Sequence, residues 1–231
     1  MAVVVIPARG GSKRIPRKNL KSFHGKPIIA WSIAAARQAE TVTRIIVSTD
    51  DDEITEVAQT HGAEVPFRRD EALSNDHAGT VEVIRDAVVR LDLVDDLPVC
   101  CLYATAPLVT GEMLDAGLAE LRRTRATFAF PVADLGPRAE RVYHRTGDRI
   151  APAWPDMMPR RSQDLPVSWF DTGQFYWGLA RDWRRPDALL WENAAGIEMS
   201  RDRVQDIDTT EDWMRAERIF ADLRNDETSN D

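Results

Sequence analysis

The segment AVVVIPARGGSKRIPRKNL, residues 2–20, decides how the chain is read. Ala2 to Ile6 are apolar and mostly β-branched, and Pro7 ends the run. So short and unbroken an apolar stretch reads as a buried strand. Arg9, Lys13, Arg14, Arg17 and Lys18 follow, with Gly10 and Gly11 among them. A charge block of this kind is often only a solvated loop. The alternative is an anion cradle. In it the glycines take positive φ, let the backbone approach a ligand, and add N–H groups to the cations. The loop would lie at the carboxyl edge of the strand, where open parallel α/β sheets bind their ligands. It is neither a Walker A sequence nor G-x-G-x-x-G.

Working outward, strand and helix patterns alternate. PIIAWSIAAARQAE, DDEITEVAQTHG, GTVEVIRDAVVRLDL and GEMLDAGLAELRRT have helical spacing; RIIVSTD, AEVPF, PVCCLYA and ATFAFPV read as strands. This rhythm predicts an α/β fold, a mostly parallel sheet with helices on both faces. It breaks near Asp134. Residues 134–170 are rich in Pro and Arg, with one hairpin pattern around Thr146-Gly147-Asp148. An insertion of this length serves as a lid, binding loop or subunit contact. TGQFYWGL returns as a strand and TTEDWMRAERIFADL as a terminal helix. The expected organisation is one domain over 1–223, with a polar, disordered tail over 224–231.

The 231 residues carry a net charge of −8. That argues against a general nucleic-acid binder and for a focused anion site, because the cations concentrate in the first loop and in PRRSQ. No membrane span is expected, and the first apolar run lacks the basic flank of a secretory leader. Cys100 and Cys101 are neighbours in an apolar run and read as core residues of a cytoplasmic protein. The four histidines show no metal-type spacing.

Two further stretches carry chemistry. In VQDIDTTED, Asp206 and Asp208 flank Ile207 and share a face if the chain is extended. Such a pair suits Mg²⁺ beside phosphates, and equally suits helix capping. In FRRDEALSNDHAGT, Arg69 is placed to meet a nucleotide, and Asp76 to Thr80 either present N–H groups or cap a helix. The aromatics of WFDTGQFYW read as core or as a ligand platform.

IPARGGSKRIPRKNL, STDDDEI, RRDEALSND, TAPL, RSQDLP, DTGQFYW and DIDTTED occur in that order. This ordered set resembles the acylneuraminate cytidylyltransferase family, and within it the pseudaminic acid enzymes. Tyr103-Ala104-Thr105-Ala106-Pro107 and Thr172-Gly173 depart from the sialic acid pattern. The resemblance implies a Rossmann-like nucleotidyltransferase fold and a homodimer built through the 134–170 insertion. It implies transfer of CMP from CTP to a nonulosonic acid, with legionaminic or N-acetylneuraminic acid as alternative substrates. A non-catalytic nucleotide-binding protein is the more remote alternative. Arg9, Gly11, Ser12, Lys13 and Lys18 match the triphosphate loop; Asn19, Arg69, Ala78 and Thr80 match cytosine and ribose contacts. Asp206 and Asp208 match Mg²⁺ carboxylates; Tyr103, Arg161, Gln174 and Tyr176 match the sugar site. Arg9, Lys18 and Asp208 are the expected catalytic residues.

Overall fold

The computed structural model describes residues 1–229. Strand β1 (Ala2–Pro7) is buried on both faces. Val4 and Ile6 enter one apolar cluster, Val3 and Val5 the other. A short hairpin, β2 (Ser22–Phe23) and β3 (Lys26–Pro27), leads into α1 (Ile28–Gln38). The chain returns as β4 (Val42–Ser48), parallel to β1. It continues through α2 (Asp52–Thr60) and α3 (Thr80–Arg90) to β5 (Pro98–Leu102), parallel to β1 on its other side. The winding therefore reverses at β1. The loop after β1 opens at a topological switch point, where a crevice forms between diverging connections.

Next come α4 (Gly111–Thr124) and β6 (Phe128–Asp134). The insertion holds an exposed hairpin, β7 (Tyr143–Thr146) and β8 (Arg149–Pro152), at the expected place. Strands β9 (Trp169–Asp171) and β10 (Phe175–Leu179) follow, then α5 (Ala180–Arg184), β11 (Ala194–Met199) and α6 (Thr210–Ser229).

The sheet order is β11-β6-β10-β5-β1-β4, with β9 also on β6. This corrects the expectation of a mostly parallel sheet. Strand β10 is antiparallel to β5 and β6, and β9 is antiparallel to β6. The reason lies in the insertion. After β6 there is no crossover helix, so the chain comes back alongside in the opposite sense, which antiparallel pairing permits. The sheet is mixed, with flanking helices. Strand β11, parallel to β6, was not anticipated. AEVPF makes only one isolated bridge, Glu64 with Ile46, and a second, Arg68 with Thr49, lies just past its end. Pro66 lies between them and cannot donate to a ladder.

Phe175, Tyr176 and Trp177 are buried, so these aromatics of DTGQFYW serve packing. A third apolar cluster joins Ile15 of the first loop, Phe23, Ile207, and Trp213, Ala216 and Phe220 of α6. Helix α6 extends to Ser229, past the point at which a disordered tail was expected. Residues 230 and 231 lie outside the described residues. Among the described residues no helix is long and apolar enough to cross a membrane.

Close packing of α4 against α1 sets one test. A Cβ at Gly111 would lie 2.6 Å from the Gln38 carbonyl carbon and the Ala39 nitrogen, both backbone atoms that cannot rotate away. Gly111→Ala is expected to lower stability by about 1–3 kcal/mol, the usual cost of overpacking. Urea unfolding checks this, and an unchanged midpoint would contradict the packing.

Candidate functional site

The cleft at the end of β1 has a volume of about 570 Å³. Arg9, Ser12, Lys13, Arg14, Lys18 and Asn19 of the first loop line one side. Arg69, Ala78, Thr80 and Tyr103 line another, and Asp206 and Asp208 close it. The first loop and the segment before α6 are thus brought together from opposite ends of the chain. Gly11 is exposed and outside this lining. Arg161 is exposed and also outside it, while Gln174 and Tyr176 are buried behind it.

The loop is an arrangement of cationic side chains more than of N–H groups. Neither Gly10 nor Gly11 has positive φ; Arg17, at φ 54, is the left-handed residue of the loop. Gly10 is small for another reason. Its Cβ would fall 2.4 Å from Asp51 Oδ2, and its N–H already donates to Asp50 Oδ1 at 3.0 Å. This corrects the expected nest of glycine N–H groups. Arg17 turns away, paired with Asp51 and Glu53 at the start of α2. Asn19 Nδ2 donates to the Arg9 carbonyl at 3.0 Å and fixes the loop's entry.

Arg9 and Lys13 converge on Asp76, at 2.6 and 2.5 Å. Their hydrogen bonds, that of Lys13 foremost, hold the Asp76 carboxyl down at about 2. Asp76 was not singled out from the sequence as a site charge. Nothing in local spacing reveals that residues so far apart in sequence share one cleft. Before α3, Asn75 Oδ1 accepts from the His77 and Ala78 N–H groups, at 2.7 and 3.1 Å. Glu82 Oε2 accepts from Gly79 N at 3.1 Å. Capping is therefore the reading that holds for these three groups.

Arg69 is buried, donates to Ser74 Oγ at 3.2 Å and faces Asp50 at 3.8 Å. Burial draws its guanidinium below its ordinary range. Tyr103 Oη and Thr80 Oγ1 are 2.8 Å apart. Tyr103 takes a backbone hydrogen bond to the Gln174 carbonyl, and its ring lies 5.7 Å from that of Tyr176. Tyr176 Oη donates to Asp171 Oδ2 at 2.7 Å. Burial raises both phenols, so both stay protonated O–H groups.

The two aspartates are not capping groups. Thr209 and Asp212 cap α6 reciprocally: Asp212 Oδ2 accepts from Thr209 N at 2.8 Å, and Thr209 Oγ1 accepts from Asp212 N at 3.2 Å. Ile207 is buried in the third cluster, and both flanking carboxylates reach the cleft. Lys18 Nζ donates to the Ile207 carbonyl at 2.6 Å and lies 3.7 Å from Asp208 Oδ1, which Arg14 meets at 2.8 Å. Burial lowers the Lys18 ammonium against the opposing pull of Asp208 and Asp206. Asp206 keeps surface open to the cleft, yet the protein crowded around it desolvates its carboxyl and, with the nearby Asp208 charge, pushes it up.

This donor set fits a small hard cation. Two carboxylate oxygens repel one another, and a cation relieves that repulsion. Among the described residues no group of three or more His, Cys, Asp or Glu encloses a metal. A cation here would take its remaining ligands from phosphate and water, the habit of Mg²⁺.

A family model described as cytidylyltransferase matches residues 3–146. The chain belongs to the cytidylyltransferase family. The pseudaminic acid cytidylyltransferase of Campylobacter jejuni is 36% identical over 219 residues, 94% of each chain. The N-acylneuraminate cytidylyltransferase B of Danio rerio is 31% identical over 93% of this chain and 50% of its own length. A solved CMP:2-keto-3-deoxy-manno-octonic acid synthetase complexed with CTP shares the fold, with a TM-score of 0.74, 19% identity, and coverage of 96% of this chain and 99% of the other.

In this cytidylyltransferase the raised Asp206 carboxyl makes a stability prediction. Its folded value lies above its unfolded one, so the charged form costs stability at neutral pH and the cost disappears as pH falls below the unfolded value. Asp206→Asn is expected to unfold at a slightly higher temperature than wild type at about pH 7, the difference closing towards about pH 3–4. Calorimetry across that range checks it; a lower midpoint at neutral pH would contradict the assignment.

Proposed function

We propose that the protein transfers CMP from CTP to the anomeric hydroxyl of a nonulosonic acid, pseudaminic acid foremost, and releases pyrophosphate. The observation that carries this reading is the convergence of Arg9, Lys13, Arg14 and Lys18 with Asp206 and Asp208 on one cleft at the switch point. The near-full-length relative that acts on pseudaminic acid supports the choice of sugar.

In this reading the sugar oxygen attacks the α-phosphorus. The new O–P bond forms as the bond to the β-phosphate oxygen breaks, and the hydroxyl proton leaves to solvent or a neighbouring base. Arg9 and Lys13 take the triphosphate in exchange for Asp76, and Lys18 stands at the junction with Asp208. Such a transfer depends on alignment and charge stabilisation more than on covalent catalysis. Mg²⁺ held by Asp206 and Asp208 would supply a clamp on phosphate oxygens. Ser12 serves the triphosphate, and Asn19, Arg69, Ala78 and Thr80 the nucleoside. Tyr103 faces the sugar, with Gln174 and Tyr176 as its support, and Arg161 is the family-based carboxylate partner. CTP as substrate makes the cytoplasm the proposed location.

Incubation with CTP, Mg²⁺ and separate nonulosonic acids, followed by pyrophosphate release, tests the reading. Pseudaminic acid is expected to give the highest kcat/KM, above N-acetylneuraminic and legionaminic acids. Release with none of them would overturn the activity; a preference for another sugar would overturn the specificity. Asp208→Asn is expected to fold normally and to lose about a hundredfold or more in kcat, the scale of one lost transition-state electrostatic contact. Near-wild-type turnover at limiting Mg²⁺ would contradict the role.

The insertion supports a proposed homodimer. Tyr143, Ile150 and Trp154 leave large apolar surface exposed on one short segment, an arrangement that a two-fold partner would cover. Sedimentation at micromolar concentration is expected to show a dimer that Ile150→Asp with Trp154→Asp weakens; a wild-type monomer would refute it.

A further inference from the structure

The motif STDDDEI begins on the last residue of β4, and Thr49, Asp50 and Asp51 follow that strand directly. None of these three lines the cleft, yet together they grip two segments that do. The Thr49 carbonyl accepts from Arg69 N at 2.8 Å. Asp51 Oδ2 meets Arg17 Nη1 of the first loop at 2.5 Å. Asp50 reaches both segments. Its Oδ1 accepts from Gly10 N at 3.0 Å and stands 3.8 Å from Arg69 Nη2. One carboxylate oxygen therefore ties the first loop to the buried arginine on the opposite side of the cleft.

Arg69 is a side chain that needs such a neighbour. It is only 4% exposed. Its Nε donates to Ser74 Oγ at 3.2 Å, and among the described residues its two Nη groups make no hydrogen bond. An arginine stays protonated throughout the physiological range, so this is a fixed charge in a desolvated place. Burial disfavours that charge most; Asp50 is the main opposing influence, and the nearby Arg9 charge adds to the cost. Among the described residues Asp50 is the ion-pair partner of Arg69 within 4 Å. At 3.8 Å the contact is an ion pair and not a hydrogen bond, which leaves the Nη donors of Arg69 for a ligand.

We propose that Asp50 is a positioning residue for CTP: one oxygen fixes the loop at Gly10 and steadies the Arg69 fork, so that phosphate and nucleoside contacts keep their spacing. The inference rests on the function proposed above, in which Arg69 serves the nucleoside. Asp50 itself touches neither substrate nor reacting atoms. A plain negative charge near a polyanion site would have the opposite effect. It would repel CTP, and its removal would tighten binding. The sign of the change therefore separates positioning from bare charge.

The test uses two variants of the full chain, with thermal melts to confirm folding. Asp50→Asn keeps an oxygen acceptor for the Gly10 N–H and removes the charge facing Arg69; Asp50→Ala removes both. Calorimetric titration with CTP and, separately, with inorganic tripolyphosphate, each with Mg²⁺, reads the nucleoside and phosphate contacts apart. In Asp50→Asn, CTP affinity is expected to fall about tenfold, the scale of a coupled pair, while tripolyphosphate affinity stays within about threefold of wild type. In Asp50→Ala, tripolyphosphate affinity is expected to fall at least about fivefold below that of the Asn variant, the scale of one hydrogen bond. Arg69→Gln combined with Asp50→Asn is expected to bind CTP no more weakly than Arg69→Gln alone, because both changes act through one contact. In turnover, Asp50→Asn is expected to raise KM for CTP, with kcat at saturating CTP within about threefold of wild type and KM for the sugar acid unchanged. Titration without sugar acid keeps this inference distinct from the proposed activity. A wild type that binds CTP but releases no pyrophosphate with any sugar acid removes the activity and leaves Asp50 in its role. Unchanged or tighter CTP binding in Asp50→Asn would overturn the inference. So would equal weakening of CTP and tripolyphosphate in that variant, equal tripolyphosphate affinity in the two variants, or no CTP binding by wild type.

Discussion

The site depends on one junction, where Lys18 from the first loop donates to the Ile207 carbonyl and faces Asp208. It joins residues 189 positions apart in sequence. Ile15 and Ile207 enter the same apolar cluster under α6, so the junction is held by packing as well as by charge. The Ile207 side chain is buried in that cluster, and both flanking aspartates line the cleft. Without α6 packed on that cluster, the loop would keep its cations and the aspartates would have no fixed place beside them.

The electrostatics follow from that geometry. Cations and carboxylates are gathered more closely than either type would tolerate alone. They pair with one another: Arg9 and Lys13 with Asp76, Arg14 with Asp208. Such exposed pairs contribute little stability, commonly about 0–1 kcal/mol, so a polyphosphate can exchange them at small cost. Lys18 and Asp206 are different. Each is desolvated enough for its charged form to be disfavoured, and each has an opposite charge that partly restores it. That is the behaviour expected where a protein keeps charge for a ligand instead of for its own fold.

Much of this was legible in the sequence because local signals dominate it. The apolar run before Pro7, the helix over Gly111–Thr124 and the hairpin at Gly147 are all written in short-range pattern. The ordered motifs located most residues of the first cleft. What local pattern could not carry was direction and distance. Antiparallel β10 comes from a missing crossover, which periodicity does not encode. Gly10 read as a cradle glycine of positive φ and is instead a space requirement against Asp51. Asp76 becomes a site residue only once the chain has folded. Arg161, Gln174 and Tyr176 followed from the resemblance. The structure leaves the first exposed and makes the other two part of the packing behind Tyr103.

The central claim is that this cleft directs attack to the α-phosphorus of CTP. Phosphorus NMR of CTP, Mg²⁺ and pseudaminic acid mixed with the enzyme reads that choice directly. The expected result is loss of all three triphosphate resonances, with inorganic pyrophosphate and a single phosphodiester resonance growing in equal amounts. Appearance of CDP with orthophosphate or a sugar phosphate would mean attack at the γ-phosphorus, and would contradict the account.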